Sequence, residues 1–175
     1  MFYYFPENYT WSSAFHLALM AGAQFGEMDR WLAPLKGCEP DAEPWVRAWS
    51  DMAQQQEDEA ALDLKEGYRR SAGARYLRAA VYRFSGERQV PPGTEKSASY
   101  LAAMNSFTKA IALMPLPLER IEVKSPDGIL PGYLIKASTR DPAPVVIFLF
   151  RVRCREGDAP TSSSRADARR NSTRP

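Results

Sequence analysis

Histidine occurs once in the 175 residues, cysteine twice, and no apolar run approaches the about 20 residues that cross a bilayer. Each scarcity excludes something. With one histidine, His16, and no serine in the Gly-x-Ser-x-Gly setting that exposes a nucleophile, a Ser-His-Asp device is left to tertiary accident. Cys38 and Cys154 form neither a metal-ligand spacing nor a disulfide framework, which fits a reducing cytoplasm. The N-terminus, MFYYFPENYT, lacks the basic start and apolar core of a signal peptide. A soluble, cytoplasmic chain is therefore expected, with no membrane partner. There is no Gly-rich phosphate loop, dinucleotide fingerprint, His-Glu-x-x-His, Cys-x-x-Cys or Gly-x-Ser-x-Gly, so no cofactor, metal or catalytic residue is assigned. Carboxylate pairs such as Asp58–Glu59 and Glu119–Glu122 read as solvated faces rather than acid–base machinery.

Charge is unevenly divided. The net charge is +2, but residues 151–175 hold seven Arg against three acids, so the first 150 carry about −2. The body is thus not a nucleic-acid surface by charge. The tail, RVRCREGDAPTSSSRADARRNSTRP, has no apolar periodicity and no aromatic for base stacking, and its composition predicts disorder. Its abrupt onset at the end of a strand-like run also fits a shifted reading frame, in which case the alternative frame beyond Phe150 encodes further sheet sequence.

What is present is a helical part followed by a strand part. Thr10 reads as the N-cap of an amphipathic helix carrying Trp11, Ala14, Phe15, Ala18 and Leu19 to about Ala23. A short helical piece over 26–32 stops near Pro34, and Asp41 caps a helix running towards Gly67, with Trp45, Trp49, Met52 and Ala53 inward and a Glu43–Arg47 pair outside. Its Gln54–Glu59 run reads as a solvated face. Ser71 opens the next helix, with Tyr76, Leu77, Ala80, Val81 and Phe84 inward. Thr94 caps a last helix to Leu113, with Tyr100, Leu101, Met104, Phe107, Ile111 and Met114 on one stripe. From Leu118, Ile121 and Val123 alternate with charged neighbours, Ser125-Pro126-Asp127-Gly128 is turn chemistry, and Leu130–Ile135 returns as a second strand. Val145–Phe150, apolar without alternation, reads as a third strand covered on both faces. The expected class is α+β: a helical region at 1–117, a partial sheet at 118–150 and a tail at 151–175. The apolar run at Val145–Phe150 is an edge through which copies could self-associate.

Across nearly all of residues 1–150 the chain resembles the N-terminal region of α/β-hydrolases that carry a helical segment before the catalytic sheet. The resemblance runs through MFYYFPENYTWS, LALMAGAQFGEMDR, EPWVRAWSDMA and SAGARYLRAAVYRF, and is most specific at LPLERIEVKSPDGILPGYLIKA and PVVIFLF. The group includes yellowish-green pigment-pathway hydrolases of fungi, the bacterial 2,6-dihydropseudooxynicotine hydrolase and fermentation-respiration-switch-like esterases. It implies a helical cap over a substrate pocket, the first three strands of a hydrolase sheet, and hydrolysis of an ester or activated carbon–carbon bond by a Ser-His-Asp triad. Where the family supplies Gly-rich oxyanion-hole backbone, this chain has Arg151-Val152-Arg153. Nucleophile, acid and base have no counterpart here, so the resemblance implies a shortened, inactive relative that meets a small-molecule substrate only within a complete enzyme. Tyr4, Trp11 and His16 are the candidate substrate-lining residues; for each, a place in the core is the competing reading. A second, shorter resemblance, AAMNSFTKAIALMP to the second helix of a tetratricopeptide repeat, offers a helical interaction module as the alternative.

Overall fold

A computed structural model describes residues 3–115, 117–126, 128–136 and 145–147. Five α-helices precede a hairpin: α1 Tyr9–Met20, α2 Phe25–Leu32, α3 Ala42–Lys65, α4 Arg69–Glu87 and α5 Thr94–Leu113, then β1 Leu118–Ser125 and β2 Gly128–Ile135. A 3-10 turn, Ala33–Leu35, follows α2. The class is α+β, mostly helical with a two-stranded antiparallel sheet.

Local chemistry sets the helix ends. Asn8, not Thr10, caps α1: its Oδ1 accepts the Trp11 N–H at 3.0 Å from an extended backbone. Asp41 caps α3 by accepting from the Glu43 N–H at 3.2 Å. The end of α3 is a Schellman turn. Gly67 takes φ +88°, its N–H reaches the Leu64 carbonyl at 3.1 Å, and the Tyr68 N–H reaches the Asp63 carbonyl at 2.8 Å. The chain turns back within three residues, and α4 begins at Arg69, two residues before the expected Ser71. Neither α4 nor α5 has a side-chain N-cap; Gly93 holds the cap position expected of Thr94.

The centre of the bundle is α4, packed on α3 and α5. Trp49 lies beside Tyr82 and Gly86 while Asp63 reaches Arg75, so α3 and α4 run antiparallel. The α4–α5 pair is likewise antiparallel, with Phe84 near Tyr100 and Gly73 near Met114. Gly86 and Gly73 permit the close approach. A Cβ on Gly86 would sit 2.9 Å from the Trp49 Cβ, and one on Gly73 would sit 2.7 Å from Met114 Cγ and 3.1 Å from Leu113 Cβ.

The main core is aromatic. Tyr4 stacks on Phe15 at 4.0 Å, Trp11 on Trp45 at 4.7 Å, and Trp45, Trp49 and Tyr82 continue the row, with Met28, Leu32 and Met52 filling around them. Burying each such side chain stabilises by about 1.5–3 kcal/mol. Ser12 fastens the N-terminal segment by donating to the Phe5 carbonyl at 2.7 Å and accepting the Phe5 N–H at 2.9 Å. A second cluster of Ala60, Ala72, Tyr76 and Ala110 joins α3, α4 and α5. The buried residues of α5 are Ala103, Ser106 and Ala110, whereas Tyr100 and Leu101, expected on an inner stripe, are exposed. Small side chains bring α5 close to α4, so its large ones are displaced to the rim.

The hairpin pairs Leu118 with Ile135 through Ser125 with Gly128, leaving two residues in the turn. Tyr133 meets Phe107 of α5 edge-on at 5.4 Å. Residues 1–144 and 145–175 form two separate units. In the second, Val145–Ile147 are exposed and lie in no strand, and the rest of the expected third strand, with the tail at 151–175, lies outside the described residues.

Candidate functional site

The densest polar chemistry lies between α3, α4 and α5. Helix α4 presents Arg75, Arg78 and Arg83 to acceptors on α3, which closes on it after a three-residue turn. Arg83 grips Glu57 with two parallel hydrogen bonds, Nε to Oε1 at 2.8 Å and Nη2 to Oε2 at 2.6 Å. The two side chains are only 18% and 17% exposed. Ser106 of α5 donates to the same carboxylate. One turn along, Arg78 donates to the buried Gln56 at 2.8 Å and lies 3.5 Å from Glu27 of α2. Arg75 then pairs with Asp63, at 2.8 Å, and with Glu59. The Gln54–Glu59 run, expected as a solvated face, is therefore the acceptor side of an inter-helix seam.

Electrostatics follow from these contacts. Burial works against the charge on Glu57, but the hydrogen bonds from Arg83 and Ser106 and the Arg83 and Lys109 charges outweigh it, holding the carboxyl below its usual range. The Glu57 hydrogen bond pushes Arg83 up against the effect of burial. Burial, reinforced by hydrogen bonding to the Glu27 carboxylate, pushes the Tyr82 phenol well above its ordinary value. Tyr4 behaves alike, through burial and then its 2.7 Å bond to Asp29.

The seam has acceptors and cations but lacks a nucleophile–base pair. Ser106 is 2% exposed and donates to a carboxylate kept ionised by Arg83, with no imidazole to take its proton. Among the described residues no group of His, Cys, Asp and Glu has the arrangement of a metal site, and no helix is long and apolar enough to cross a membrane. An open groove of about 410 Å³ lies elsewhere, lined by Asp41, Glu43, Val46 and Arg47 around the start of α3 and by Val90, Pro91 and Glu95. Its one cation is paired with Glu43.

The three candidate lining residues occupy different places. Tyr4 and Trp11 are buried in the aromatic core, at 3% and 4% exposure, and Lys36 sits 3.8 Å over the Tyr4 ring. His16, on α1, is half-buried with its ring edge-on to Phe15. None of the three lines the groove at α3. The residues that sequence reasoning missed are Glu57, Arg83 and Ser106. Their signal was faint: five arginines on one helix joined by a short turn to a helix rich in Gln, Glu and Asp.

No family model matches the chain. It is 34% identical to an α/β-hydrolase, xenA of Xenoacremonium sinensis, over 125 residues, which are 67% of this chain and 28% of that protein. It is 32% identical over 143 residues to the α/β-hydrolase pydG of Acremonium sp., covering 76% of this chain and 32% of the relative. In three dimensions it is similar to the crystal structure of 2,6-dihydroxy-pseudo-oxynicotine hydrolase, with a TM-score of 0.55 and 21% identity over 78% of this chain and 36% of that one. The chain is α/β-hydrolase-like, and it spans about a third of the length of the relatives it matches.

Proposed function

We propose that the helices and the hairpin serve as the cap and sheet entrance of an α/β-hydrolase arrangement, and that these 175 residues alone hydrolyse no ester. The observation that carries the reading is the alignment with two α/β-hydrolases at 34% and 32% identity, over 67% and 76% of this chain. In that arrangement the bundle covers and shapes a pocket for a small molecule with an ester or activated carbon–carbon bond, and the triad and most of the oxyanion hole come from sequence with no counterpart here. Two scattered cysteines support a reducing, cytoplasmic setting. The exposure of Val145–Ile147 supports pairing of the Val145–Phe150 run with further strands or with a second copy. The tetratricopeptide alternative is not favoured, because it leaves the hairpin and both relatives unexplained.

The test is turnover of a p-nitrophenyl acetate and butyrate series by the purified chain, with a serine-directed fluorophosphonate probe alongside. The expected result is neither turnover nor labelling. Turnover with stoichiometric labelling means that a nucleophile exists in these residues, and the reading fails.

A further inference from the structure

We propose that β1 is a homodimerisation edge, on which two copies pair antiparallel about a two-fold axis through Ile121. The direction of the backbone groups comes first. The Lys136 N–H donates to the Pro117 carbonyl at 3.3 Å, so residue 117 faces β2. Alternation along the register then turns Glu119, Ile121 and Val123 towards β2, and Leu118, Arg120, Glu122 and Lys124 outwards. Pro131, which has no N–H to give, stands opposite Glu122 and fits this assignment. All four outward residues of β1 keep both N–H and C=O, and among the described residues β1 has no second strand neighbour. The outer edge of β2 loses a donor at its middle, at Pro131. An unpaired, uninterrupted edge recruits another strand.

Charge selects the occupant and the register. A two-fold axis through Ile121 sets Arg120 of each copy opposite Glu122 of the other and lays the Lys124 stem beside Leu118. An axis through Arg120 or Glu122 sets like charges face to face. An axis through Val123 pairs Glu122 with Lys124 but brings in Pro126, which offers no donor, opposite Arg120. Only the Ile121 axis uses the whole intact edge with opposite charges opposed. Within one strand Arg120 and Glu122 already lie 3.6 Å apart and are 65% and 59% exposed, so pairing closes a four-charge ring. On the other face Val123 and Leu130 are more than half exposed, and the Ile121 axis joins the two copies' apolar stripes into one.

This inference stands apart from the hydrolase reading, since a chain inactive on esters can dimerise. Sedimentation equilibrium of the full 175-residue chain tests it. The expected result is a reversible dimer that Arg120→Glu or Glu122→Arg weakens by about tenfold or more, because each reversal sets like charges opposite one another twice. The double variant R120E/E122R restores opposed charges and regains the parent's dissociation constant within about threefold. Three results overturn the proposal: a monomer up to about 1 mM, a dimer indifferent to both single reversals, or a double variant no tighter than the singles.

Discussion

The two halves of α3 meet α4 by different physics. From Trp45 to Ala53 the contact is apolar, with Trp49 against Tyr82 and the bare backbone of Gly86. From Gln54 to Asp63 it is mainly polar, a ladder of acceptors answered by Arg83, Arg78 and Arg75, with Ala60 against Ala72 and Tyr76 as the apolar contact between them. Apolar area stabilises wherever it is removed from water. A buried ion pair gains little net energy, because desolvation offsets attraction, yet removing one partner strands the other. The first half therefore supplies stability, and the second fixes the rotation and register of the helices. This division predicts how each half should fail.

The largest loss belongs to the aromatic half. Trp45→Ala deletes a side chain with no exposed surface, stacked on Trp11 and with its Nε1 donating to the Ser85 carbonyl at 3.3 Å. The expected cost is about 3–5 kcal/mol, and the thermal midpoint should fall by roughly 10 °C or more. Calorimetry or urea denaturation of the variant measures it. A loss below about 1 kcal/mol would mean that this half is not the stabilising one.

The polar half should give a smaller loss with a different signature. Arg83→Met leaves the Glu57 carboxylate poorly solvated and is expected to cost about 2 kcal/mol at neutral pH. Adding Glu57→Leu should recover most of it, since no charge is then stranded. The pair also sets a pH dependence. Glu57 has a lowered pKa in the folded state, so its contribution is present above the unfolded value near 4.5 and is lost as pH falls through the lower folded value. Urea midpoints from neutral to acid pH should decline more steeply for the parent than for the double variant. Parallel declines would remove Glu57 from the account.

How much of this was legible follows the same division. The stripe Trp45, Trp49, Met52 and Ala53 repeats at helical spacing, so one-dimensional periodicity found it, and local signals found the Asp41 cap and the β1 strand, though not its burial, since Val123, expected on the covered face with Ile121, is exposed. The seam was invisible because pairing between helices depends on how two elements rotate against each other. Gln56 and Glu57 look like solvent-facing residues until Arg78 and Arg83 arrive from α4. The rim position of Tyr100 and Leu101 has the same cause, since Gly73 and the alanines decide where α5 lies. The shift of the first cap from Thr10 to Asn8 is a local choice between two acceptable capping side chains only two residues apart. For Tyr4, Trp11 and His16 the sequence supplied aromatic and basic character but nothing to tell a pocket wall from a core, and the structure puts the first two in the core.

A last variant separates the seam from ordinary surface pairing. Arg47 and Glu43 make the same kind of contact as Arg83 and Glu57, one turn apart on α3, but their side chains are 69% and 74% exposed. Water already solvates both ions, and holding two long side chains in one geometry costs entropy, so little net energy remains. Arg47→Ala is expected to cost no more than about 0.5 kcal/mol. Moderate salt should weaken the parent pair, shrinking even that difference. Set beside Arg83→Met in the same denaturation series, it holds the chemistry nearly constant and changes the burial. If the two losses came out equal, burial would not be what makes the seam matter, and the ladder between α3 and α4 would be only another charged surface.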